Sequence, residues 1–454
     1  MMSIRERCSR SEGGFFCRAE RTPEQCVITG RGSEMSGCFR FLFVVTMVCA
    51  SRFVVAGTVW LNWGTDKEPV SYGTNEPMRF RVQLVEDGTP LAGKTLRWRR
   101  FGDDRQEAAG EVVTSADGRG EIVSSIAIPG FVRIEVKPCH ADGVPLKGAS
   151  GSALVFNGSA AAGRAGLAPF AEPPDFDAFW KGQRARLDGV PLQATLRKLE
   201  ARQAGFDVFD VRVDCAGGRP VSGYLAIPQG AGKGSLPAYV GFVGYGARSA
   251  TLECRKDMIV FQTNAHGIEN GREPEYYQAL MKGELKGYGF DAQQNARPET
   301  TYFNGMILRV MRALDFVKSR PEWDGKAITV YGSSQGGFQA LAAAALDHAV
   351  TVCQVKKPWF CDLGGIRLGR MGGWRPDYTD GLAYYDGVNM AKRIACETHI
   401  ISGLGDTTCP PSGLTVLYNI IKAPKSIEYL QGIAHGYETP PNPPEPERQI
   451  LSDK

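Results

Sequence analysis

The stretch from Lys326 to Leu346 constrains the fold more than any other part of this 454-residue chain. Ile328 to Tyr331 is an apolar, β-prone run suited to a central parallel strand, and Gln335 to Leu346 is strong helix-forming sequence. Between them lies Gly332-Ser333-Ser334-Gln335-Gly336, a G-x-S-x-G nucleophile elbow. Such an elbow holds its serine in a strained strand-to-helix turn, so the positions two before and two after it must be small. Gly332 and Gly336 meet that need, and Gly337 adds slack. The following helix offers N-terminal N–H groups and the positive end of its dipole to an oxyanion beside Ser334. A strand before the motif and a helix after it distinguish a working elbow from a plain Gly/Ser turn.

An elbow of this kind needs a parallel sheet, and the flanking sequence supplies one. Val208 to Val213 and Val221 to Ile227 alternate as strands, Ala238 to Val243 and Met258 to Phe261 are continuous apolar runs, and Met306 to Val317 is an amphipathic helix. Val350 to Val355 and Thr398 to Leu404 supply later strands. This alternation predicts an α/β-hydrolase fold, a mostly parallel doubly wound sheet, over residues 173–454. Asp175 is the expected N-cap of its first helix, which carries Phe176, Phe179 and Trp180.

Residues 57–155 have a different texture. Met78, Phe80, Val82 and Leu84 alternate with Arg79, Arg81 and Gln83, and turn signals recur at 86–88, 116–120 and 128–130. Period two with spaced turns predicts a small all-β sandwich of immunoglobulin-like type. Trp60, Trp63 and Trp98 are expected to pack in its core, with sugar contact the alternative. A structural or oligomer-forming role is the expectation for this module. Residues 156–172, with the small-residue run Asn157 to Gly166, read as a flexible linker.

Residues 1–56 stand apart. The first 34 show no apolar periodicity, whereas Met35 opens a segment with Arg40 before the apolar run Phe41 to Ala50. That run has signal-peptide length and is too short to span a bilayer. The expectation is a true start at Met35, cleavage near Ala50 or Ala56, export to the periplasm or beyond the cell, and no permanent membrane span. Of 12 cysteines, five precede residue 50, and the remaining seven form no C-x-x-C pair. Buried free thiols are expected, not a disulfide framework or a metal centre. The net charge of +4, with Lys and Arg scattered, argues against a nucleic-acid partner.

A serine nucleophile needs a base and an acid to orient it. Five histidines allow elimination. His140 lies in the β-module, His348 ends the helix behind the elbow, His399 reads as a satisfied core residue, and His266 precedes the nucleophile. His435, on the Gly-containing loop Gln431-Gly432-Ile433-Ala434-His435-Gly436, completes the order serine, acid, histidine. Asp406 follows a strand and precedes Cys409-Pro410-Pro411, which makes it the acid; Asp380 and Asp386 are weaker alternatives. The oxyanion hole is assigned to the backbone N–H groups of Gln335 and of Tyr245, the latter at the strand end Gly241 to Gly246.

These motifs resemble the acetyl xylan esterase and cephalosporin C deacetylase family, carbohydrate esterase family 7, over about residues 173–440. The matching residues are Asp175-Phe176-Asp177-Ala178-Phe179-Trp180, Gly244-Tyr245, the Gly-x-Ser-Gln-Gly-Gly form at 332–337, and Gly405-Asp406 with Cys409-Pro410-Pro411. The resemblance implies removal of acetyl groups from small acetylated carbohydrates by a Ser-Asp-His triad, with no metal and no cofactor. It also implies a homo-oligomer, although the added module could block or replace that contact. Three features depart from the family: His266-Gly267-Ile268 stands where it has Arg-Gly-Gln, Gly436 replaces a Glu after the histidine, and the β-module and export segment are extra. The rival readings are a prolyl-oligopeptidase-like serine peptidase and a non-catalytic carbohydrate-binding protein. Residues 362–384, rich in Gly and Arg with Trp374, read as a substrate-side lid or an oligomer contact.

Overall fold

The structure, a computed structural model, describes residues 58–148, 150–436 and 448–453. The expected start at Met35 and the export segment lie outside the described residues. Residues 59–162 form eight strands: β1 (Val59–Thr65), β2 (Met78–Glu86), β3 (Thr89–Pro90), β4 (Thr95–Gly102), β5 (Glu107–Val113), β6 (Arg119–Ser124), β7 (Gly130–Cys139) and β8 (Phe156–Ala162). Strands β1, β2, β3 and β6 make one four-stranded sheet, and β5, β4, β7 and β8 make another, with antiparallel pairing throughout. The alternation read in β2 holds, because Met78, Phe80, Val82 and Leu84 are buried while Arg79 and Arg81 pair with Glu121 across the strand. Phe80, Leu96, Ile122, Ile134 and Phe156 share one apolar cluster. Trp98 lies over Gly110, where a Cβ would come within 2.7 Å of its ring. Trp63 lines an open cleft of about 690 Å³ but turns its indole N–H toward Gln431.

The linker expectation fails over residues 156–162. They form β8, paired with β7 from Gly130↔Ala162 to Val136↔Phe156 and buried along nearly its whole length. Small residues serve flexible linkers, but they also serve strands packed too closely for larger side chains. The second case holds here: a Cβ on Gly158 would lie 2.3 Å from Gln431 Oε1.

The chain then enters α1 (Phe176–Asp188) and a ten-stranded sheet. Its strands are β9 (Ala194–Leu199), β10 (Phe206–Val213), β11 (Val221–Pro228), β12 (Leu236–Phe242), β13 (Ile259–Thr263), β14 (Trp323–Ser333), β15 (Val352–Lys356), β16 (Glu397–Gly403), β17 (Lys425–Leu430) and β18 (Arg448–Asp453). The order is β18-β17-β16-β15-β14-β12-β13-β11-β10-β9. From β13 to β17 neighbours run parallel, while β9, β10 and β11 at one end and β18 at the other are antiparallel. The remaining helices are α2 (Pro274–Lys282), α3 (Tyr302–Lys318), α4 (Gln335–Leu346), α5 (Gly387–Ala391) and α6 (Pro411–Ile420). The apolar face of α3 and nearly all of α4 bury against Ile328 and Val330 of β14, which fixes the elbow strand in the centre of the core.

Two local expectations are corrected. Asp175 precedes α1 but its side chain makes no capping bond; its carboxylate accepts the Tyr384 hydroxyl instead. His399 is not a core residue: its side chain is partly exposed and bonds Ser426 and Glu397 on the sheet surface. The seven cysteines after residue 50 are all free thiols. Among the described residues no helix is long and apolar enough to cross a membrane.

Candidate active site

The turn from β14 to α4 places Ser334 at φ 56° and ψ −122°, a conformation L-residues adopt only under constraint. The constraint comes from the neighbouring glycines. A Cβ on Gly332 would sit 2.0 Å from the Gly336 carbonyl oxygen, and one on Gly336 would sit 2.2 Å from that of Phe242. Gly337 does not supply slack, since a Cβ there would come within 2.9 Å of Pro358. The Ser334 N–H donates to Lys356 O at 3.0 Å, and its carbonyl accepts from Trp359 N–H at 2.9 Å, so the strained residue is held from the β15 side.

The three residues expected to work together meet here. His435 Nε2 lies 3.0 Å from Ser334 Oγ, and His435 Nδ1 lies 2.8 Å from Asp406 Oδ2. Asp406 is buried, and its other oxygen accepts the N–H groups of Thr408 and Cys409, each at 2.8 Å. With Oδ2 as acceptor, the neutral imidazole keeps its proton on Nδ1 and leaves the Nε2 lone pair facing the serine hydroxyl. Sequence reasoning missed Lys357, a buried lysine just after β15. Its ammonium donates to Ala434 O at 2.9 Å and His435 O at 2.6 Å, fixing the histidine loop from below. A charged residue at the end of a parallel strand beside the elbow was the available signal.

Asp406, Cys409 and His435 are a set of possible metal donors within 4.8 Å of one another. Burial pushes the Cys409 thiol well above its ordinary range, with Asp406 adding to the effect, and the Asp406 oxygens are already committed. Both Asp406 oxygens and both His435 ring nitrogens already have hydrogen-bond partners in this arrangement.

Tyr245 and Gln335 lie on the two chain segments that flank Ser334. Gly244 lies beside Ser333, where a Cβ would make ordinary contact with its carbonyl oxygen at 3.6 Å. Among the described residues neither the Tyr245 nor the Gln335 N–H finds a protein acceptor. One further residue joins the segments, and the sequence did not mark it. Tyr288 accepts the Gly246 N–H at 3.0 Å and donates its hydroxyl to Gln335 Oε1 at 2.8 Å. Burial raises its phenol pKa, so it remains a donor. Tyr288→Phe is expected to lower kcat for an acetyl ester about tenfold or more, with KM within about twofold, because each donor segment loses its tether. Steady-state kinetics check this; an unchanged kcat would remove Tyr288 from the site.

His266 sits behind this tyrosine. Its Nδ1 is 2.7 Å from Tyr302 Oη, and its ring meets Tyr288 edge-on at 4.5 Å. Burial first, and Arg309 second, push its pKa down to about 3, so it is neutral. It is an uncharged ring packed among tyrosines.

The segment 362–384 packs against the Tyr245 strand end and the Asp406 loop through Trp374. Trp374 is 44% exposed, meets Tyr245 edge-on at 4.7 Å, stacks on Trp359 at 5.3 Å and packs on Phe290 at 5.0 Å. Its backbone N–H donates to Thr408 O at 3.1 Å, so this aromatic wall reaches from the proposed oxyanion segment to the Asp406 loop. The buried Arg370–Asp362 pair, and Arg375 donating to Asp362 O, hold its base.

Comparison with known proteins places this geometry in context. A sequence model of the acetyl xylan esterase family (AXE1) matches residues 168–371 and 376–442, more than half of the chain. The chain is 29% identical over 277 residues to the acetyl esterase Axe7A of Xylanibacter ruminicola, a match covering 57% of this chain and 63% of that protein's length. Among solved structures it resembles the acetyl xylan esterase from Paenibacillus sp. R4, with a TM-score of 0.52 and 27% identity over 60% of this chain and 93% of that one.

Proposed function

We propose, on the premise that the chain belongs to the acetyl xylan esterase family, that it is a serine carboxylesterase that removes acetyl groups from acetylated sugars or xylo-oligosaccharides. The observation that carries this reading is the His435 imidazole, 2.8 Å from the Asp406 carboxylate and 3.0 Å from the Ser334 hydroxyl. Ser334 Oγ attacks the ester carbonyl carbon as its proton passes to His435 Nε2. The N–H groups of Tyr245 and Gln335 stabilise the oxyanion, Asp406 stabilises the imidazolium, and His435 returns the proton to the departing sugar oxygen as the C–O bond breaks. Water, deprotonated by His435, then attacks the acetyl-Ser334 carbonyl; the C–Oγ bond breaks, Ser334 Oγ takes the proton back from His435, and acetate leaves.

The same reading takes residues 58–162 as an immunoglobulin-like sandwich, residues 173–454 as the catalytic domain, and the protein as exported. The wall of Tyr245, Trp359 and Trp374 beside Ser334 favours a small acyl group.

Initial rates on p-nitrophenyl acetate, butyrate and octanoate, on acetylated xylo-oligosaccharides and on a prolyl amide test the proposal. Rates should fall steeply with acyl length, acetate should appear from the oligosaccharides, and the amide should remain intact. Cleavage of the amide with inert acetyl esters would replace this reading by the peptidase one.

A further inference from the structure

The β-module reaches the two loops that carry the acid and the base. On the base side, Trp63 of β1 donates its indole N–H to Gln431 O at 3.2 Å. Its ring lies directly on Gly432, which has φ 75° and where a Cβ would come within 2.3 Å of the indole. Ser159 of β8 meets Gln431 at two points: its N–H donates to Gln431 Oε1 at 3.1 Å, and Gln431 Nε2 donates to Ser159 O at 2.8 Å. The glutamine side chain thereby completes β8 as a neighbouring strand would. On the acid side, Ser159 Oγ donates to Leu404 O, and a Cβ on Gly405 would lie 2.1 Å from Asn157 O. Ser159 and Gln431 are both fully buried. Leu404 is two residues from Asp406, and Gln431 is four from His435. The loops also hold each other, through Gly405 N–H to Ile433 O at 3.0 Å.

We propose that the β-module is a working part of the active site, in which Trp63 and Ser159 are positioning residues that set the Asp406 and His435 loops at their mutual distance. This rests on the triad reading above. A module serving only solubility or assembly would have no need to place buried, directional hydrogen bonds on these two loops. Small errors in such positions are expensive, since a shift on the order of 1 Å at a reacting group costs about a hundredfold in rate.

The test uses the full chain with Trp63→Phe, which keeps a ring on Gly432 but removes the N–H, with Ser159→Ala, which keeps the backbone pairing but removes the hydroxyl, and with both together. Thermal unfolding should stay within about 5 °C of the wild type. On p-nitrophenyl acetate the double variant should lose about tenfold or more in kcat with KM within about twofold. A second readout requires no turnover: the downfield proton resonance of His435 Nδ1–H, assigned by its loss in His435→Ala, should shift or broaden in the variants. Folded variants with an unchanged resonance and kcat within about twofold of wild type would overturn the proposal. If Trp63→Phe does not fold, Ser159→Ala alone decides by the same two readouts. Should the wild type hydrolyse no acetyl ester, the esterase reading falls while the resonance still tests the positioning role.

Discussion

Ser334→Ala is expected to lower kcat for acetyl ester hydrolysis by about a millionfold, the scale at which removing a triad serine ends acyl-enzyme formation. The fold should be untouched. The bonds that hold the residue in its strained conformation are made by its backbone: its N–H to Lys356 O, and its carbonyl to Phe338 and Trp359 N–H. Alanine keeps all three and accepts the same φ and ψ at similar strain. The side chain contributes one hydrogen bond, to His435 Nε2, and His435 stays anchored by Asp406 and by Lys357 below it. Kinetics paired with a fluorophosphonate label read by mass spectrometry give the result. Wild type should be modified at Ser334 and the variant at no site, with melting temperatures within about 2 °C. A folded variant that retains more than about 1% of wild-type kcat would place the nucleophile elsewhere.

The elbow was legible in sequence because its requirements are local and steric. Only glycine fits at 332 and 336, where the chain passes within about 2 Å of where a Cβ would be. The strand before and helix after it follow from short-range propensity. His435 and Asp406 were legible by their order along the chain and by the loops that follow β17 and β16. What stayed hidden depends on contacts between distant segments. Residues 156–162 have a linker's composition, and only the presence of Gln431 and Gly405 across the gap makes smallness a packing requirement. Tyr288 looks ordinary in sequence and Lys357 is marked there only by its place at a strand end, and their contacts with Gly246, Gln335 and the His435 carbonyl appear only in the fold. Asp175 fits a capping pattern, yet Tyr384, more than 200 residues away, claims its carboxylate.

Asp406, the proposed triad acid, gives the sharper test of how the geometry works, because Asp406→Asn changes almost no volume. Oδ1 of Asp406 accepts two backbone N–H groups, from Thr408 and Cys409, so the asparagine must keep its carbonyl oxygen at that place. Its amide nitrogen then faces His435 Nδ1, where the structure now has an acceptor 2.8 Å away. An N–H donor there requires a bare Nδ1, which moves the imidazole proton to Nε2. A protonated Nε2 can donate to Ser334 Oγ but cannot take its proton, and the imidazolium that forms during attack loses its carboxylate partner. The expected result is a fall in kcat of roughly three to four orders of magnitude with KM little changed. The tautomer provides an independent check: nitrogen NMR of His435 should show the proton on Nδ1 in the wild type and on Nε2 in the variant. Loss of activity without the tautomer change would mean that Asp406 acts through its charge alone. An Asp406→Asn protein within about tenfold of wild-type kcat would exclude Asp406 as the acid.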